Sequence, residues 1–152
     1  MNPTKTMAAF AATALALALS ACGSTYGKDA IHNDEFYSLN DDAQEIVQKW
    51  MEATEKEDWV SMVEVTCYSS QDSRDRSLKV AKEGGTEHSG FGVRKYSPIN
   101  KTLNASNYDE DHSSIKFALD NGATLSLEVK QSTLPDQDLC INSDYSDGAQ
   151  IN

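Results

Sequence analysis

Ser114-Ile115-Lys116-Phe117-Ala118-Leu119-Asp120-Asn121-Gly122-Ala123-Thr124-Leu125-Ser126-Leu127-Glu128-Val129 decides the fold class. Successive side chains of a β-strand point to opposite faces, so a half-buried strand alternates apolar and polar residues. Ile115, Phe117 and Leu119 do so, and Leu125, Leu127 and Val129 repeat the pattern. Between the two runs stands Asp120-Asn121-Gly122. Asn and Gly tolerate the left-handed dihedrals of a tight turn, so the segment reads as a β-hairpin. Its apolar face contains no ionisable group.

Working outward, Leu139-Cys140-Ile141 reads as a short last strand, and residues 144–152 as a polar, frayed C-terminal tail. Upstream, Lys101 to Tyr108 fits a strand beside the hairpin. Val93 to Ile99 fits another, interrupted by Pro98, which has no N–H to donate and points to an edge or a bend. Farther upstream the period becomes helical. Ala43, Ile46, Val47, Trp50, Met51 and Thr54 form one stripe, with Glu45, Gln48, Lys49, Glu52 and Glu55 on the opposite face. Asn40, Asp41 and Asp42 offer cap oxygens and negative charge to the positive end of that helix. Asp58 begins a second helix through Trp59, Val60, Met62, Val63 and Val65 to Cys67. Tyr68 to Asp72 reads as a loop, and Ser73 to Glu83 as a third helix stopped by Gly84-Gly85. Helices followed by a meander predict an α+β domain over residues 39–143. Its N-terminal helices should pack on a curved antiparallel sheet of four or five strands.

The N-terminus follows a different logic. Lys5 precedes an uncharged run from Met7 to Leu19, which is shorter than the ~20 residues of a bilayer-spanning helix. It has the size of a signal-peptide core. Leu19-Ser20-Ala21-Cys22-Gly23 follows and resembles the bacterial lipobox. That resemblance implies a signal peptide over residues 1–21, cleavage before Cys22, and lipid on the Cys22 sulfur. The protein would then sit on the extracytoplasmic face of a cell membrane as a lipoprotein of the cell envelope. An ordinary secretory signal cut near Ala21 is the alternative. Residues 22–38, polar and without sustained period, read as a flexible tether in which His32 is solvated.

The chain has three cysteines. If lipid occupies Cys22, Cys67 and Cys140 remain as an even pair in a compartment that permits disulfides. A bridge between them would close a loop of roughly 74 residues, with a chain-entropy ceiling of about 4.4 kcal/mol. Two buried thiols are the alternative. The formal charge is −11, near −12 once Lys5 leaves with the signal. Such a balance argues against nucleic acid and against a basic membrane-binding surface, so attachment must come from lipid.

Residues Ala43–Thr54, Glu57-Asp58-Trp59, Cys67 and the C-terminal meander together resemble small actinobacterial-type lipoproteins with a cystatin-like or nuclear-transport-factor-2-like domain. The resemblance covers roughly residues 39–142, and the tryptophan such proteins often place before the last-strand cysteine is absent before Cys140. It implies a cone of helices on a curved sheet, with Cys67–Cys140 stapling the helical layer to the last strand. Enzymes of the cone-shaped family place Asp, Tyr or His inside it, which makes Tyr68, Asp72, His88 and Tyr96 the catalytic candidates.

The residues themselves offer little chemistry. No phosphate-binding glycine loop, paired metal-type histidines or Gly-x-Ser-x-Gly is present. Gly90-Phe91-Gly92 reads as a turn. Asp109-Glu110-Asp111-His112 lacks the glycine and ligand spacing of a calcium loop, and reads as a solvated turn. No metal or cofactor is expected. The expected role is a non-catalytic module that binds a small apolar ligand or another envelope protein. An isomerase- or dehydratase-like enzyme using the cone is the alternative.

Overall fold

The computed structural model describes residues 28–84 and 96–146. Among these residues five helices precede four strands: α1 (Lys28–Ile31), α2 (Asp34–Tyr37), α3 (Asp41–Glu55), α4 (Trp59–Val65), α5 (Gln71–Lys82), β1 (Ile99–Asn107), β2 (Ser113–Leu119), β3 (Thr124–Gln131) and β4 (Leu139–Ser146). The strands form an antiparallel meander in the order β1-β2-β3-β4. The α+β class with helices before an antiparallel meander is as expected, and the four-stranded sheet is open, with β1 and β4 at its edges.

The hairpin forms where the alternation places it. Ile115 lies opposite Leu127, and Phe117 opposite Leu125. Directly opposed residues share a face, so these four side chains meet on the core side, all of them buried. Gly122 takes φ 83° in the turn, where a side chain would be strained. The Asn121 carboxamide oxygen accepts the Ala123 N–H at 3.0 Å. On the core face lie the stripe of α3 (Ala43, Ile46, Val47, Trp50) and Trp59, Met62 and Val63 of α4. The other face, with Lys116, Ser126, Glu128 and Asn142, is solvated, and this is why those runs alternate.

Several boundaries differ from the sequence reading. Among the described residues one strand, β1, stands before the hairpin where two are expected. Pro98 precedes it and accepts the Asp120 N–H through its carbonyl at 2.9 Å, while residues 93–95 lie outside the described part. Residues 144–146, read as tail, extend β4: Asp144 pairs with Ser126 and Ser146 with Thr124. Their polarity misled because backbone pairing with β3 does not depend on side chains, and Asp144 and Ser146 point to solvent. Helix α5 starts at Gln71, since Ser70 caps it by accepting the Ser73 N–H.

The largest correction concerns the tether. Residues 28–38 are folded onto the edge of β1. Phe36 is only 3% exposed. The Thr102 hydroxyl donates to the Ile31 carbonyl, and Asn33 Nδ2 donates to the Thr102 carbonyl at 3.1 Å. Asn107 Nδ2 reaches the Ser38 carbonyl at 2.8 Å, and the Asn40 N–H reaches Asn107 Oδ1 at 3.0 Å. His32 is not simply solvated: its Nε2 lies 2.7 Å from Gln48 Oε1, and its ring packs edge-on to Phe36. These helices have four residues each, too short for a hydrophobic period, and side-chain bonds to β1 fix them instead.

Candidate functional site

Cys67 and Cys140 are joined, with Cα atoms 4.8 Å apart. The chain leaving α4 pairs with the β4 edge in one parallel bridge, Thr66 to Ile141, and the Cys67 N–H donates to the Ile141 carbonyl at 2.8 Å. The helical layer and the last strand are therefore tied by backbone and by sulfur.

The three catalytic candidates among the described residues, Tyr68, Asp72 and Tyr96, do not form a constellation. Tyr68, next to the disulfide, is half-buried, and its hydroxyl lies beside Ser77 without a partner in hydrogen-bonding geometry. Burial raises its pKa because the phenolate would lose hydration, with Ser77 and Arg74 opposing in part. Asp72 is exposed in the first turn of α5, where a carboxylate favours the helix dipole. Tyr96 is engaged elsewhere: its hydroxyl is 2.9 Å from Ser143 Oγ, and its ring lies 5.4 Å from Trp50 and 6.1 Å from Tyr145. His88 lies outside the described residues. No hydrogen bond joins any two of Tyr68, Asp72 and Tyr96.

A His–carboxylate pair does exist, between residues the sequence reading assigned to a solvated turn and a strand. His112 Nε2 lies 3.0 Å from Glu128 Oε1, and Lys130 Nζ lies 3.5 Å from Oε2. The His112 bond is the main reason the Glu128 pKa is lowered, desolvation opposes it, and Lys130 assists. Both side chains sit on the open outer face of the sheet, 38% and 40% exposed. His112 lines an open concavity with Asp109, Glu110, Asp111 and Lys130, where water has access.

An open groove of about 660 Å³ lies at the end of the sheet where α3 begins. Asp42, Glu45, Ile46 and Lys49 of α3 form one wall, with Val65 and Asp111 beside them; residues 131–139 form the other. Ile46 and Leu134 are buried and Val65 and Leu139 half-buried, and around these apolar residues stand Asp42, Glu45, Asp111 and Asp138 with Lys49 and neutral polar side chains. The wall between β3 and β4 is held in place. Gln137 Nε2 donates to the Glu64 and Thr66 carbonyls at 2.7 and 3.3 Å, which satisfies the C-terminal end of α4. Arg74 pairs with Asp136, and Thr133 Oγ1 donates to the Tyr68 carbonyl at 3.3 Å. Ser132 Oγ donates to Gln137 Oε1 at 2.7 Å and accepts the Leu134 N–H. Nothing in the spacing of residues 131–139 marks this wall, because its partners lie more than 60 residues away.

Cys22 lies outside the described residues. Among the described residues, no helix is long and apolar enough to cross a membrane, and no three His, Cys, Asp or Glu side chains are grouped to hold a metal ion. No family model, curated protein or solved structure matches the chain.

Proposed function

We propose that the protein is a lipid-anchored, extracytoplasmic lipoprotein whose domain binds another protein of the cell envelope and does not catalyse. One observation supports the non-catalytic reading: among the described residues, the candidates Tyr68, Asp72 and Tyr96 serve three separate neighbourhoods and do not converge on one space. The groove supports a protein partner over a small apolar ligand. It is open, its rim is polar, and its far wall is braced before any partner arrives, which lowers the ordering cost of association. The helix-first order and the meander are consistent with a cystatin-like or nuclear-transport-factor-2-like fold, the finer form of the architecture we favour.

The anchor rests on the signal-like run and Leu19-Ser20-Ala21-Cys22. Fractionation of cells carrying Cys22→Ala tests it: the protein should leave the membrane or accumulate uncleaved. Mature protein that stays membrane-bound after this change refutes the anchor. Turnover of a ketone or steroid substrate that is abolished by Asp72→Asn refutes the non-catalytic reading.

A further inference from the structure

We infer that the domain stands on the membrane by the end where β1 begins, with the acidic groove end directed away from the bilayer. The inference rests on the lipid-anchor reading and adds an orientation to it.

The chain outside the described part sets the reach. From Cys22 to Lys28 there are six Cα–Cα steps, so whatever its conformation this connection spans at most about 21 Å. Had residues 22–38 formed one tether, the reach would have been about 55 Å, and any face could have met the lipid. The docking of α1 and α2 removes that freedom. The chain from Ile31 to Asn40 runs alongside β1 from Thr102 to Asn107, in the same direction. Lys28 therefore lies toward the start of β1. From Thr102 to Asn107 is about 17 Å of strand, and the turn bearing Asp109, Glu110 and Asp111 lies beyond. That turn meets the bilayer only if the connection is drawn to nearly its full length.

Charge acts in the same direction. At the far end the turn faces the start of α3, so Asp109, Glu110 and Asp111 stand with Asp42 and Glu45, Asp138 lies across the groove, and Lys130, next to Glu128, is on the other side of the turn. Lys49 is the basic residue on that groove, and it is already paired with Glu45 at 2.6 Å. Among the described residues the near end is mixed, with Glu55, Glu57, Asp58 and Asp120 beside Lys56 and Lys101 at the end of α3, the start of α4, the start of β1 and the β2–β3 turn. Anionic headgroups repel the far end within a Debye length of about 8 Å, and an upright domain holds it more than twice that distance away. Reach and repulsion together leave the groove open to a partner approaching from the side opposite the membrane.

With Cys22 lipidated and Cys67 bonded to Cys140, an introduced cysteine is the single free thiol. Full-length protein isolated with its lipid and carrying Asp120→Cys or Glu110→Cys would be labelled with a fluorophore and placed in vesicles containing an anionic phospholipid and a headgroup quencher. Both positions are exposed and both changes remove one carboxylate. The expected result is quenching at 120 at least about threefold stronger than at 110. Equal quenching, or the reverse order, overturns the orientation. If either variant fails to fold, Ser146→Cys and Asp138→Cys report the same two ends. The mass of the N-terminal peptide separates the two ways of failing. An unlipidated Cys22 refutes the anchor and the orientation with it, whereas a lipidated Cys22 with reversed quenching refutes the orientation alone.

Discussion

Removing the Cys67–Cys140 bond should cost the domain about 2–4 kcal/mol, mostly by releasing the unfolded chain. The bond joins residues 73 apart, for which the chain-entropy relation gives a ceiling near 4.4 kcal/mol at 25 °C. The folded side should change little. The Cys67 N–H still reaches Ile141, Gln137 still reaches the end of α4, and Arg74 still meets Asp136 when the sulfurs are gone. Urea unfolding of Cys67→Ala/Cys140→Ala against the bridged protein, both carrying Cys22→Ala and followed by fluorescence of Trp50 and Trp59, measures the difference. With an m-value of about 1.5 kcal/mol per M, the midpoint should fall by roughly 1.3–2.7 M. The m-value itself should rise, since the unbridged chain exposes more surface. Each single substitution should cost nearly as much as the pair, because either one abolishes the same bond. A loss below about 1 kcal/mol with an unchanged m-value would show that the entropic argument fails here.

Thr102→Val keeps the shape of a 4%-exposed side chain but leaves the Ile31 carbonyl without its donor. It should cost about 1–2 kcal/mol, read as faster amide exchange in α1 and α2 than in the sheet. Leu127→Ala, at a fully buried position on the hairpin, should lower the global unfolding free energy by about 2–5 kcal/mol. The folded-state pKa of Glu128 is depressed, so its pairing stabilises the fold above the ordinary carboxylate range and is lost as pH falls through the depressed value. Comparing the acid limb of a urea-midpoint profile with that of Glu128→Gln isolates this part, and superimposable limbs would rule it out. The folded-state pKa of Tyr68 is raised, so its contribution is complete below about pH 10 and is lost as pH rises through the raised value. Tyr68→Phe should flatten that alkaline loss.

Local patterns were legible where one face of an element is buried over many residues. The 15-residue α3 and the hairpin declare themselves because burial imposes a period on Ile46, Val47 and Trp50, and another on Ile115, Phe117 and Leu119. The Cys67–Cys140 pair was legible by parity, given an oxidising compartment and a use for Cys22. What escaped was held by single polar contacts across the chain. Asn33, Asn107 and Thr102 look like loop and strand-edge residues in sequence, yet between them they fold residues 28–38 onto β1. The groove wall escaped for the same reason, since Gln137 and Arg74 gain their meaning only from partners on other elements. Tyr68 and Tyr96 are candidates by residue type and by the resemblance to the cone-shaped family, and the fold separates their tasks.

The disulfide also changes what a break in the chain means. Between Cys67 and Cys140 the molecule has two covalent routes, one through the backbone and one through sulfur. A peptide bond cut anywhere on that stretch opens a ring and does not divide the protein. The residues between α5 and β1 fall on it, so a nick there would leave helices and sheet as two chains sharing one bond. On a non-reducing gel such a protein would migrate near its intact mass and separate into two fragments only with reductant. The mechanical link from Cys22 to the groove would survive as well, since it can run through α4 and across the sulfur bond to β4 without using the severed segment.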